Sequence, residues 1–244
     1  MTQNPIPRAL SILFTSQTRA LLMGGQACIL YGAAEFSRDI DLAILVSPEN
    51  LDHLRAALKA LQAEPIYFPR LTEEVLRRGH ACHFRCRAAE GLRIDVMGRW
   101  RGMGEFSELW ERRIEIDLPE VGQVAVMAVE DLVKSKKTQR DKDWPMIRRL
   151  LEVDFYRHGL DASTARVRFW LAEGRTPEIL QVLAEKYPEF TREAARRRPL
   201  LSEALAGDAA SLARMLREEE DQERALDRQY WAPLKEELER WRRQ

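Results

Sequence analysis

The chain has 244 residues, 45% hydrophobic and 32% charged, and its 39 basic side chains balance 39 acidic ones to a formal net charge of zero. That length buries a large core and is long for one compact domain, so one or two domains are expected. A neutral chain has no global electrostatic footprint for nucleic acid, and no apolar run approaches the length of a membrane-spanning helix, so only local patches and soluble chemistry are left.

Cys28, Cys82 and Cys86 are an odd, sparse set unlike a disulfide framework, and a reducing, cytoplasmic location is expected. The N-terminal stretch contains Pro5 and Pro7 and has no long apolar region, so it does not read as a signal peptide.

Residues 7–16 read as a short leading helix, and residues 20–23 as a short buried strand that stops at Gly24-Gly25. Residues 26–31 follow without a breaker and read as the first turns of a helix. Glycines at such a junction carry no Cβ, so a phosphate can approach the backbone N–H groups. Residues 40–46 form the next strand, with Asp39 and Asp41 at its start. Side chains two residues apart share a strand face, so both carboxylates point the same way and repel each other unless a cation lies between them.

Ser47-Pro48 opens a helix as cap and first residue, and Leu51, Leu54, Leu58 and Leu61 recur at helical spacing up to Pro65. Residues 66–68 read as a short strand, and Thr72 caps a small helix that closes at Gly79. Residues 80–87 and 92–98 flank a turn at residues 88–91, and a second hairpin joins residues 114–118 to 123–127. The first hairpin holds His80, Cys82, His83 and Cys86, residue types that bind zinc. On a strand the spacing is poor for a tetrahedral site, since His83 points away from the other three, so a hairpin strand beside Asp95 is the better reading. Arg99-Trp100-Arg101 and Trp110 beside Arg112 and Arg113 read first as tryptophan anchors under a charged surface, and second as base-stacking groups.

Residues 129–152 predict two abutting helices, with Pro145 near a start or a kink. Lys134, Lys136, Lys137, Arg140 and Lys142 crowd this stretch among Asp141 and Asp143, the pattern of a solvated helix laced with pairs such as Lys137–Asp141. Residues 153–244 read as all helix, cut by Pro177, Pro188, Pro199 and Pro233 into pieces of about one helix each, with basic clusters at residues 196–198 and 240–243.

Gly24-Gly25, then Asp39-Ile40-Asp41, then Asp95 within Arg93-Ile94-Asp95-Val96 resembles the signature of the nucleotidyltransferase superfamily that includes DNA polymerase beta. The lysine, arginine and Lys-Asp step at residues 136–143 is similar to a third motif in nucleotidyltransferases of the abortive-infection toxin group. The resemblance covers about residues 19–150 and implies an α/β (α+β) catalytic domain with a small mixed sheet over residues 1–150, followed by a helical domain over residues 151–244. It implies transfer of a nucleoside monophosphate from a nucleoside triphosphate such as ATP, with Mg²⁺ or Mn²⁺. Asp39, Asp41 and Asp95 would be the metal ligands and, with Lys136, the catalytic set. Gly24, Gly25, Arg38, Lys137 and Arg140 would contact the nucleotide, Lys137 being the rival to Lys136 by one residue of register.

The acceptor stays open among an RNA end, a protein and a small molecule, as does a toxin–antitoxin role with a protein partner on the C-terminal helices. The alternative is a fold that has kept its shape and lost its activity, leaving a binding or regulatory module.

Overall fold

In the computed structural model, residues 5–243 are described. The chain divides into two compact units, one of residues 1–30, 34–135 and 230–244, the other of residues 31–33 and 136–229.

The first unit is built on a mixed seven-stranded sheet. Its elements in order are α1 (Pro5–Thr15), β1 (Ala20–Met23), α2 (Gly24–Leu30), β2 (Asp39–Ile44), α3 (Pro48–Ala60), β3 (Ala63–Pro65) and α4 (Glu73–Arg77). Then come β4 (Cys82–Cys86), β5 (Leu92–Met97), α5 (Phe106–Arg112), β6 (Ile114–Leu118), β7 (Gly122–Val126) and α6 (Val129–Ser135). Strand order across the sheet is β3-β4-β5-β2-β1-β7-β6. β2 runs parallel to β5 and antiparallel to β1, and β1 runs parallel to β7. Both expected hairpins form, as β4–β5 and β6–β7.

The centre of this sheet is apolar. Leu21, Leu22, Ile40, Leu42, Ile44, Ile94 and Val96 are all buried, and burial alternates along β5 as expected of a strand with one covered face. The crossover from β2 into α3 is fixed by polar groups. Ser47 accepts from the Asn50 N–H at 3.3 Å as the helix cap. The buried Asn50 amide accepts from Arg19 N at 2.7 Å and donates to Leu45 O at 2.7 Å, tying the start of β1 to the end of β2.

The short strand lies at residues 63–65, earlier than the expected 66–68. It is the sheet's edge strand, where Pro65 has no ladder bond to lose, so the proline is tolerated inside it.

The second unit is helical: α7 (Asp143–His158), α8 (Thr164–Glu173), α9 (Pro177–Lys186), α10 (Pro188–Ala195), α11 (Leu201–Ala206) and the part of α12 (Ala209–Arg242) up to residue 229. Buried charges hold it together. Asp154 accepts from the Trp170 indole N–H at 2.8 Å and from Arg166 at 3.1 Å, and Glu219 accepts from Arg198 and Arg175, each at 2.7 Å.

Two features depart from the expected layout. The division between units falls at residue 135, ahead of the expected 150, because α7 belongs with the helices that follow it, and residues 230–244 group with the sheet. Pro233 lies inside a continuous α12 and does not end it. Proline at that position removes one backbone bond and bends a helix without having to terminate it. Among the described residues no helix is long and apolar enough to cross a membrane.

Candidate active site

The register of the central strands decides which carboxylates meet. β2 and β5 pair in parallel with Asp41 directly opposite Asp95 and Asp39 opposite Arg93. β4 pairs with β5 so that His83 stands opposite Asp95, and β1 pairs with β2 so that Met23 stands opposite Asp41. His83, Asp95 and Asp41 therefore form one row across three adjacent strands, about 4.8 Å per step. All are half-buried, while Ile40, Ile94 and Phe84 turn to the covered face.

Asp95 is engaged in this row. His83 Nδ1 lies 2.8 Å and Arg93 Nε 2.7 Å from its Oδ1. Burial pushes the Asp95 carboxyl up, but the hydrogen bonds from His83 and Arg93 outweigh it and hold the group below the usual carboxylate range. The Arg93 guanidinium also feels the charge of Asp39. The repulsion expected among three carboxylates is thus already offset in part by the Arg93 guanidinium on the Asp95 side.

Asp41 is tied to the glycine turn. Gly24 has φ +65°, and a Cβ there would overlap the Asp41 carboxylate. The Gly25 N–H points to Asp41 Oδ2 at 3.4 Å, and a Cβ on Gly25 would overlap the Ser37 hydroxyl. The buried Gln26 amide donates to Ser37 O at 3.2 Å, which fixes the loop leading into β2. Arg38 is exposed, with its guanidinium 5.6 Å from the ring centre of Phe36, itself 70% exposed.

The donor set suits a hard divalent cation, because carboxylate oxygens on one face are what Mg²⁺ or Mn²⁺ takes. Asp39 and Asp41 fit this use, and Asp95 does through Oδ2, since both of its bonds fall on Oδ1. Among the described residues the side chains are not gathered into a three-ligand cluster.

Lys134 of the cationic stretch is on α6 in the first unit; the candidates Lys136, Lys137 and Arg140 belong to the second unit, in the connection before α7 instead of on a helix. The reason is local. Asp143 accepts from Thr138 Oγ1 at 2.5 Å and from Arg140 Nε at 2.7 Å, and the Trp144 indole N–H donates to Thr138 O at 2.8 Å. The Arg140 N–H also donates to Thr138 Oγ1 at 3.1 Å, and a short polar side chain that bonds the nearby backbone in this way competes with helix. Lys136 lies 3.8 Å from Asp143. Lys137 is 2.6 Å from Glu173, close in distance yet poorly aligned for a hydrogen bond, and 3.8 Å from Glu223. The expected Lys137–Asp141 pair is replaced, since Asp141 pairs with Arg224 at 2.6 Å.

Of the His80–Cys86 segment, residues 82–86 form β4 beside Asp95, and His80 precedes the strand. Burial pushes the Cys82 thiol up to about 12 and that of Cys86 to about 11, the behaviour of small buried hydrophobes. His80 is buried, with Nε2 2.7 Å from Glu237. Trp100 is buried and Trp110 carries the Arg113 guanidinium 4.2 Å from its ring centre, in keeping with anchors under a charged surface.

The sequence pattern assigns His83 and Gln26 no part in this site, and Arg93 enters it there only as a neighbour of Asp95. The hairpin held the signal for His83. With Cys86 set opposite Leu92 across the turn, counting back places His83 opposite Asp95.

No protein-family model matches the chain, and no curated protein matches it. Several solved structures are similar to it, among them the following three. A candidate nucleotidyltransferase from Thermotoga maritima is 14% identical with a TM-score of 0.39, over 55% of this chain and 84% of its own. The JHP933 protein from Helicobacter pylori is 13% identical with a TM-score of 0.37, over 91% of this chain and 94% of its own. A candidate nucleotidyltransferase from H. pylori is 14% identical with a TM-score of 0.36, over 91% of this chain and 97% of its own. Likeness of this degree carries no functional argument; the residues of the site have to.

Proposed function

We propose that the chain is a divalent-metal-dependent nucleotidyltransferase that moves a nucleoside monophosphate from a nucleoside triphosphate to an acceptor and releases pyrophosphate. The observation that supports this reading is the pairing of Asp41 with Asp95 across β2 and β5, with Asp39 on the same face and Gly24-Gly25 against Asp41. Asp39 and Asp41, with Asp95 Oδ2, would hold Mg²⁺ or Mn²⁺. The bound metal would supply charge neutralisation at the triphosphate and make the acceptor hydroxyl more acidic.

The chain's own residues then have distinct tasks. Gly24 and Gly25 make room for the Asp41 carboxylate and the Ser37 hydroxyl and so bring the nucleotide-side turn against the carboxylate pair, and Arg38 offers a long, exposed cation beside that pair. Asp95, kept ionised by Arg93 and His83, is a weak base at neutral pH and so orients an acceptor hydroxyl more than it strips its proton. Lys136, Lys137 and Arg140 are the candidates for steadying the triphosphate, with Lys136 first.

The acceptor is an RNA end, a protein or a small molecule, and a toxin–antitoxin role with a protein partner on the C-terminal helices belongs to this same reading. The engagement of Asp95 by Arg93 and His83 supports a second reading, a module that binds nucleotide without transferring it. Incubation with each α-labelled triphosphate, Mg²⁺ and a cell extract separates the two. Transfer predicts label in one class of molecule, lost in Asp41→Asn. Triphosphate binding without label in any fraction supports the module and ends the transfer reading.

A further inference from the structure

Within the helical unit, α7, α12 and the turn between α8 and α9 enclose a hollow of about 450 Å³. Small-ligand sites commonly span about 300–1,000 Å³. Five arginines line it, Arg148, Arg149, Arg175, Arg217 and Arg224, against two carboxylates, Asp141 and Glu220. Both carboxylates are already taken by Arg224, each at 2.6 Å. Among the described residues, Arg148, Arg149 and Arg217 have no ion-pair partner, and all three are exposed.

Helical spacing brings these groups to one place. Trp144 and Arg148 stand four residues apart on α7, and Arg217, Glu220 and Arg224 recur three and four apart on α12. The Trp144 indole is buried and carries the guanidiniums of Arg175 and Arg224 at 5.1 and 5.7 Å from its ring centre. It therefore fixes cations in the wall and does not offer itself for base stacking.

Arg175 is the buried cation of the wall. It is 5% exposed, and its Nη1 donates to Glu219 at 2.7 Å, but its buried Nε finds no acceptor. Burial and the nearby Arg198 charge both disfavour its cationic form. A wall where cations outnumber carboxylates, and where the guanidiniums of Arg148, Arg149 and Arg217 are unpaired among the described residues, favours an anionic oxygen.

We propose that this hollow binds a phosphate-bearing ligand of about one nucleotide's size, either a free nucleotide or one residue of an RNA strand. The residues of the hollow all belong to the helical unit, and the proposal stands whether or not the sheet carboxylates transfer a nucleotide.

The test is isothermal titration of the full chain carrying Asp39→Asn and Asp41→Asn, so that binding at the sheet carboxylates is suppressed. The probes are AMP, a short oligoadenylate and inorganic phosphate. Replacing Arg148, Arg149 and Arg217 together by glutamine should weaken AMP or oligoadenylate binding roughly tenfold or more. For the strand it should also flatten the salt dependence, by about 0.7 in log–log slope for each phosphate no longer neutralised. The same three positions changed to lysine keep the charge and most of the affinity, which separates lost recognition from lost folding. Tighter oligoadenylate than AMP assigns the site to a strand, and equal affinities assign it to a free nucleotide. No binding of any probe, or equal binding in the glutamine variant, overturns the proposal.

Discussion

The Asp41 carboxylate fills the space that Gly24 leaves empty: a Cβ on Gly24 would overlap its Cγ and Oδ2. Glycine at this position is therefore demanded twice, by φ +65° and by the carboxylate against it. Gly122 in the β6–β7 turn shares the first demand, with φ +91°, but has open space around its missing Cβ.

That contrast gives the first prediction. Gly122→Ala should cost only the left-handed backbone term, about 1–2 kcal/mol. Gly24→Ala should cost more, because Asp41 must also move, and it should remove stabilisation by Mg²⁺ with triphosphate. Urea denaturation of both variants checks this. Equal losses would mean that Asp41 yields freely and that its contact with the turn is incidental.

The second prediction concerns pH. The folded Asp95 carboxyl lies below its ordinary range because its hydrogen bonds to His83 and Arg93 outweigh burial. A carboxylate depressed in this way contributes stability above its unfolded pKa, near pH 4, and loses it as pH falls through the lower folded value. Arg93→Leu should thus lower stability by about 1 kcal/mol at pH 7, a modest figure because both groups are partly wet. The gap between wild type and variant should close below about pH 4, where both forms of Asp95 protonate. A gap that stays constant from neutral to acid pH would show that Arg93 acts through packing and not through the charge of Asp95.

The third prediction separates the carboxylates. Asp95→Asn removes an anion bonded by two donors and should destabilise the metal-free protein by about 1–2 kcal/mol. Asp41→Asn keeps the size of the side chain against Gly24 and alters a bond of 3.4 Å from Gly25 N, and should cost less stability than Asp95→Asn. Both should abolish the rise in thermal midpoint with Mg²⁺ and triphosphate, which follows ligand binding to the folded state. Retention of that rise in both variants would remove the sheet carboxylates from nucleotide binding.

The sheet and its acidic pair were legible because they rest on short-range rules. Asp39 and Asp41 share a face by the two-residue period of a strand, and β1 stops where Gly24 must adopt positive φ. Other features depend on distances in sequence that periodicity does not carry. His83 enters the site only through the hairpin register, and a slip of one residue would have turned it to the covered face. The connection at residues 136–142 reads as helix by composition, yet bonds from Thr138, Arg140 and Trp144 stop it from being one. The grouping of residues 230–244 with the sheet rests on contacts such as Glu237 with His80 and Arg78, which no local pattern announces.

The last prediction concerns the two neighbouring lysines, whose surroundings differ. Lys137 is mostly buried and forms an ion pair with Glu173 at 2.6 Å, and Glu173 is itself buried. Lys136 is also largely covered, but its carboxylate partner Asp143 is farther, at 3.8 Å, and that carboxylate is held by Thr138 and Arg140 as well. Lys137→Ala therefore leaves a buried carboxylate without its main cation and should cost about 3 kcal/mol, whereas Lys137→Ala with Glu173→Gln together should recover much of the loss. Lys136→Ala should cost under about 1 kcal/mol, because Asp143 keeps two donors. If Lys136 also serves the triphosphate, the same change should lower the rate of label transfer by about 10²–10³, by analogy with removing one transition-state donor. Measuring stability and transfer on all three variants assigns each lysine. A stability loss at Lys137 with unchanged transfer at Lys136 makes both structural. A rate loss in a folded Lys137→Ala variant with none at Lys136 would move the catalytic cation one residue along the chain.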